Sequence, residues 1–140
     1  MSKVVSTRLP EETESRLQRL ARRLGKTASE TGAMLIEESL RQLEFAFIEF
    51  RNSTVGRQAY LKNSNLAVWQ VIRLLQQYEG NIDKTAEHLQ KPIPWVKAAL
   101  NYSEAYPLEI ENAIADASAS NYETLKRLLP QTELLSICPR

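Results

Sequence analysis

Apolar positions in the first forty-four residues fall into two stripes parted by a glycine. Leu17, Leu20, Ala21 and Leu24 recur at i, i+3, i+4 and i+7, the spacing of one face of an α-helix. Glu11, Glu12 and Glu14 crowd its start, where negative charge meets the positive end of the helix dipole. Pro10 suits that first turn, because it lacks an N–H and fixes φ. Gly25 is the expected C′ residue, with Arg22, Arg23 and Lys26 near the negative end. Thr27 and Glu30 have the spacing of a capping box, which predicts a second helix striped by Ala28, Gly32, Leu35, Ile36, Leu40 and Leu43. Ahead of both lies Lys3–Leu9, K-V-V-S-T-R-L, a β-branched stretch that predicts a short strand stopped by Pro10.

A lone strand with two helices cannot stand by itself, since so short a segment buries too little apolar surface and the strand lacks a partner. A two-fold dimer cures both faults by pairing the strand with its own copy over a four-helix core. Strand side chains alternate, so either Val5, Thr7 and Leu9 face that core or Val4, Ser6 and Arg8 do. Burying Arg8 unpaired costs several kcal/mol, so Val4, Ser6 and Arg8 are expected to point outward.

The words T-R-L-P-E-E and R-L-Q-R-L-A-R-R-L-G-K-T-A-S-E resemble the ribbon-helix-helix superfamily of repressors, of the Arc, MetJ and CopG kind, over residues 3–44. The resemblance implies a β-ribbon that enters the DNA major groove and reads bases with alternate strand side chains. Carried onto this chain, Arg8 would donate to guanine, Ser6 would accept or donate, and Val4 would touch a thymine methyl. Val4 departs from the polar residue common there in the family. Lys3 is a candidate phosphate contact, and Thr27, Ala28 and Ser29 open a helix whose free N–H groups suit a phosphate or serve only as a cap. The arginines of the first helix read as a solvated face.

Beyond residue 44 the second helix is expected to run on, since Phe47 and Phe50 prolong the Leu40–Leu43 stripe. Phe45, Phe47, Ile48 and Phe50 read as a core hinge between domains or as contacts for a partner. Gly56–Leu61 predicts a short strand. Val68, Val71, Ile72, Leu75 and Tyr78 predict a helix closed by Gly80-Asn81, and Asp83–Gln90 another. Lys91-Pro92-Ile93-Pro94 is a turn, with Pro94 expected at N1 of a helix that Pro107 ends or kinks, and Leu108–Ile114 is one more helix. Trp69 and Trp95 are core residues by default, or interface anchors. Ala115–Ser120 reads as a linker. Tyr122, Leu125, Leu128 and Leu129 then stripe a short helix stopped by Pro130, which either docks on its own domain or orders on a partner.

Helix, tight turn, helix is a helix-turn-helix layout. The words G-R-Q-A-Y, L-A-V-W-Q-V, T-A-E-H-L, V-K-A-A-L-N-Y and Y-P-L-E-I resemble a small bacterial helix-turn-helix domain, over residues 48–114, that is commonly found as or beside antitoxins. The resemblance implies a gene pair with a PIN-like ribonuclease toxin, as in VapB-like type II antitoxins. Its helix after the turn offers Lys97, with Lys91 in the turn, against Glu104, a poor footprint for phosphate, so protein contact is the expected role.

Composition narrows the classes. The 140 residues allow one ordinary domain or two small ones, and 43% hydrophobic with 25% charged residues suits a folded chain. The longest apolar runs, Ala33–Ile36 and Phe45–Ile48 among them, are far short of the roughly 20 residues of a membrane span. Charged residues precede any apolar stretch of signal length, so no secretory signal is expected. Cys138 is the one cysteine and His88 the one histidine, so no disulfide, metal site or cofactor is expected. His88 has no placed nucleophile to serve and reads as a surface helix residue; no enzyme is expected. With a net charge of +1, nucleic-acid binding must come from local placement of bases, and six of the first eight lie between Arg8 and Lys26.

The resulting expectation is a mainly α chain in three parts. Residues 1–44 form a ribbon-helix-helix dimerisation and DNA-binding unit. Residues 45–114 form a helix-turn-helix domain, and residues 115–140 a tail. The function expected is that of a cytoplasmic type II antitoxin, nucleoid-associated when bound to DNA, that represses its own operon as a homodimer or larger assembly and neutralises a ribonuclease-like toxin. Candidate toxin contacts are Phe45, Ile48, Trp95, Tyr122, Leu125, Leu128 and Leu129. A free-standing repressor without a toxin, such as a plasmid copy-control protein, is the alternative, and an interaction scaffold a third.

Overall fold

The computed structural model describes residues 2–53 and 56–128. The chain is mainly helical, with one two-stranded antiparallel sheet among the described residues. It parts between Glu44 and Phe45 into two compact units. Among the described residues no helix is long and apolar enough to cross a membrane.

The first unit holds α1 (Glu11–Leu24) and α2 (Ala28–Glu44). Pro10 is the N-cap of α1, and three glutamates occupy its first turn. The helix closes at Gly25, whose φ of 68° is a left-handed conformation that a Cβ disfavours, and Lys26 N–H returns to the Ala21 carbonyl at 3.0 Å. The capping box that opens α2 is formed in both directions, Glu30 N–H to Thr27 Oγ1 at 3.1 Å and Thr27 N–H to Glu30 Oε1 at 3.0 Å. Ala21 and Thr31 are buried, and the Thr31 hydroxyl has no hydrogen-bond partner among the described residues. The predicted strand over Lys3–Leu9 joins no sheet: residues 2–10 carry no regular element and are exposed throughout. A strand needs a neighbour for its N–H and C=O groups, and nothing in the single chain supplies one.

The second unit opens with a hairpin, β1 (Ile48–Ser53) and β2 (Gly56–Leu61), followed by α3 (Val68–Gln77), α4 (Ile82–Leu89), α5 (Ile93–Ala105) and α6 (Pro107–Leu128). The second helix therefore does not run on through Phe50. It ends at Glu44, and Phe47, at a φ of 62°, turns the chain into β1. In the hairpin Ile48 faces Leu61 and Phe50 faces Ala59, so the apolar residues share one side, while Glu49, Arg51, Gln58 and Tyr60 take the other. Arg51 gathers that outer side, donating to Glu49 and to the Ser64 carbonyl and lying 4.8 Å from the Tyr60 ring centre.

Behind the hairpin, α3 packs against α4, α5 and α6 around Val68, Val71, Val96, Ala99 and Tyr102, all fully buried. Tyr102 centres an aromatic cluster, with Phe45 at 5.5 Å, Phe50 at 6.2 Å and Tyr106 at 5.0 Å between ring centres. Asn81 caps α4 through its side chain, accepting from Lys84 N–H at 3.0 Å. A turn of Gln90, Lys91 and Pro92 joins α4 to α5, with Gln90 left-handed at a φ of 56°. Pro92 is the N-cap and Ile93 the first helical residue, so Pro94 falls one place later than the sequence predicts. Tyr106 separates α5 from α6, which Pro107 opens. The linker expected over Ala115–Ser120 is helix: α6 runs unbroken from Pro107 to Leu128, across the boundary drawn at residue 114.

Candidate nucleic-acid interface

The arm of residues 2–10, α1 and α2 enclose a groove of about 1190 Å³ within the first unit. Val5, Leu9, Leu17, Leu20, Ala33 and Ile36 give it an apolar floor, and Arg16, Arg19, Arg23 and Glu37 stand at its polar rim. Val4 is 93% exposed and Val5 87%, and Leu43 on α2 is 85% exposed. Six of the nine strongly exposed large apolar side chains among the described residues belong to this unit, so the uncovered apolar surface is concentrated there.

Lys3, Val4, Ser6 and Arg8 are all exposed. Lys3, Val4 and Ser6 border the groove together with Val5, Thr7 and Leu9, whereas Arg8 alone of this stretch does not. Arg8 thus stands outside the hollow, and the single chain does not sort the other strand residues into two faces. At the start of α2 the capping box has already used the Thr27 amide. Donation from the Thr27 backbone, then from its hydroxyl, with Lys26 nearby, holds the Glu30 carboxyl below its ordinary pKa. A carboxylate therefore stands at the helix N-terminus, and no hydrogen bond engages the Ala28 or Ser29 amide among the described residues. Of the three residues expected to hold a phosphate, Ala28 and Ser29 keep open N–H groups and Thr27 serves as the cap.

The expected partner contacts of the second unit divide by burial. Ile48 is 3% exposed, so it belongs to the core and offers nothing to a partner. Phe45 is half-buried against Tyr102 and Tyr106. Trp95 is half-buried, stacked on Phe47 at 5.6 Å, with Lys91 Nζ 5.1 Å from its ring centre. Phe47 and Ile93, each 40% exposed, give this edge its open apolar surface, and Ile93 stands outside the residues expected to meet a partner. The signal for Ile93 was its place in the Pro92–Pro94 turn, where a helix start leaves an apolar side chain uncovered. Trp69 is half-buried, donating to Gln58 Oε1 at 3.3 Å beneath the Arg73 guanidinium. Tyr122, Leu125 and Leu128 fall within the span of α6, but their side chains, and all of Leu129 and the residues after it, lie outside the described residues.

His88 is exposed on α4, its Nδ1 2.8 Å from the Tyr78 hydroxyl. Among the described residues no group of three or more His, Cys, Asp or Glu side chains is placed to hold a metal ion. Lys97 and Glu104 are exposed on α5, the helix after the turn. No protein-family model, curated protein or solved structure matches the chain.

Proposed function

We propose that this chain is a DNA-binding repressor that dimerises through residues 3–9 as an antiparallel ribbon and acts as the antitoxin of a type II toxin–antitoxin pair. The observation that carries the reading is the open apolar groove of about 1190 Å³ between the arm, α1 and α2, a hollow that a second copy of the same segment would fill. A unit with so small a buried core gains most from covering that surface. Pairing would also supply the backbone hydrogen bonds that residues 3–9 lack among the described residues. In such a ribbon Val4, Ser6 and Arg8 line the outer edge and read bases, while Lys3 and the open amides of Ala28 and Ser29 take phosphates. The second unit then presents the Phe47, Ile93 and Trp95 edge to a toxin, with aromatic anchors of the kind that dominate protein interfaces. The toxin half of the reading draws its support from the sequence resemblance.

The test is Arg8→Ala in the full chain, measured against a duplex selected by the wild-type protein from a random-sequence pool. Loss of a bidentate guanine contact, worth roughly 1–3 kcal/mol, weakens binding about 5- to 150-fold and relaxes the preference at one position, with the dimer intact. Unchanged affinity and preference would remove the ribbon from the mechanism.

A further inference from the structure

Helix α1 carries Arg16, Arg19, Arg22 and Arg23, all exposed; by helical spacing Arg19 and Arg22 lie across from the stripe of Leu17, Leu20 and Leu24, while Arg16 and Arg23 flank it, and Arg16, Arg19 and Arg23 also rim the groove beside the arm. Their charges have no counter-ion: no ion pair or hydrogen bond of these four side chains is present among the described residues. The helix itself explains why. No acid lies three or four residues from Arg19, Arg22 or Arg23, and Glu12, four before Arg16 in the favoured order, makes no pair with it. Like charges instead neighbour one another at Arg16–Arg19, Arg19–Arg22 and Arg19–Arg23, an arrangement that opposes the helix. The dipole favours Arg22 and Arg23 in the last turn but does nothing for Arg16 and Arg19. A hollow of about 570 Å³ opens among Arg19, Arg22 and Arg23.

We infer that this ridge is a second docking surface, distinct from the ribbon edge, for the phosphate backbone of double-stranded DNA. The inference rests on the reading above that the chain binds duplex DNA. No apolar side chain interrupts the ridge, whereas a protein interface keeps an apolar centre and a nucleic-acid interface is polar and positive. The guanidinium fork matches two phosphate oxygens at once. From Arg16 to Arg23 the helix rises about 10 Å, which spans about three phosphate charges of one strand.

The experiment uses the full chain with Arg19→Gln, Arg22→Gln and Arg23→Gln together, and a labelled duplex of about 30 base pairs and arbitrary sequence, titrated between about 50 and 200 mM salt. Glutamine keeps helix propensity, circular dichroism checks α1, and sedimentation equilibrium checks that the oligomeric state matches wild type. Each lost phosphate contact lowers the slope of log affinity against log salt by about 0.9, so three lower it by about 2.7 per bound protomer. Across that salt range the wild type then loses about 40-fold more affinity than the variant. The same three positions as lysine restore the slope, which ties the effect to charge. An unchanged slope in the glutamine variant overturns the inference. So does an unchanged slope joined to lost binding of poly-glutamate, which assigns the ridge to an acidic protein. Arg8→Ala, run alongside on the duplex selected by the wild-type protein, separates the two readings. If it changes nothing while the glutamine variant flattens the slope, the ribbon fails and the ridge stands; if only Arg8→Ala alters binding, the ridge fails and the ribbon stands.

Discussion

Val4 and Val5 are neighbours with nearly equal exposure in the single chain, 93% and 87%, yet the proposed ribbon assigns them opposite fates. Alternation places Val5 in the dimer core with Thr7 and Leu9, and Val4 on the outer edge with Ser6 and Arg8. Fully burying a valine side chain is worth about 1.5 kcal/mol, and Val5 has 87% of its surface still to lose. Two-fold symmetry counts the contribution twice, so Val5→Ser weakens the dimer by about 2.6 kcal/mol, or roughly 80-fold in its dissociation constant. Val4→Ser leaves that constant within about threefold and acts on DNA binding instead, because a residue at the groove edge contributes little to the core. Sedimentation equilibrium of the full chain over a wide concentration range measures both. Equal effects of the two substitutions, or a larger one for Val4, would refute the register, and a wild-type chain that stays monomeric at every concentration would refute the ribbon altogether.

Two further outcomes test local chemistry. Tyr102 is fully buried and its hydroxyl donates to Glu109 Oε2 at 2.6 Å, so Tyr102→Phe keeps the ring packing but removes a charge-assisted bond. Urea unfolding should show a loss of about 1.5 kcal/mol, against about 3–5 for Tyr102→Ala; equal losses would mean that the hydroxyl, not the ring, holds the cluster. Glu30 has its native pKa lowered from 4.5, so the stabilisation from its charge is present above that value and is lost as pH falls through the lower native one. Thermal melts should therefore find Glu30→Gln less stable than wild type at neutral pH and converging with it below 4.5. A gap that persists in acid would place the effect outside the capping box.

The helices were legible because several signals agreed at each end. Leu17, Leu20, Ala21 and Leu24 gave the face of α1, the glutamates and Pro10 its start, and Gly25 its left-handed stop. Thr27 and Glu30 made the predicted box with both hydrogen bonds. Strand β2 was legible over its whole length, but its partner was not. Leu40, Leu43, Phe47 and Phe50 keep a helical spacing, while Ile48 and Phe50 keep the alternation of a strand, and only the left-handed turn at Phe47 decides between them. The span read as a linker misled through its small residues. Ile110, Ala113, Ile114 and Ala117 repeat at helical spacing and are buried or half-buried, a stripe that alanine makes easy to overlook. The use of the Thr27 amide by Glu30 followed from the box itself, which fills part of the anion site that the same helix start advertises.

Arg51 has a consequence for how the hairpin behaves. A two-stranded ribbon with an alternating pattern can slide by two residues and keep its apolar side inward, so alternation alone leaves such a pairing free to drift. Here one guanidinium fastens β1 to the segment that leads into α3, through the Ser64 carbonyl, and rests on the Tyr60 ring across the sheet. A two-residue slide carries that anchor about 7 Å off its moorings. Arginine thus serves the chain as a clasp in one unit, and stands bare on α1 in the other.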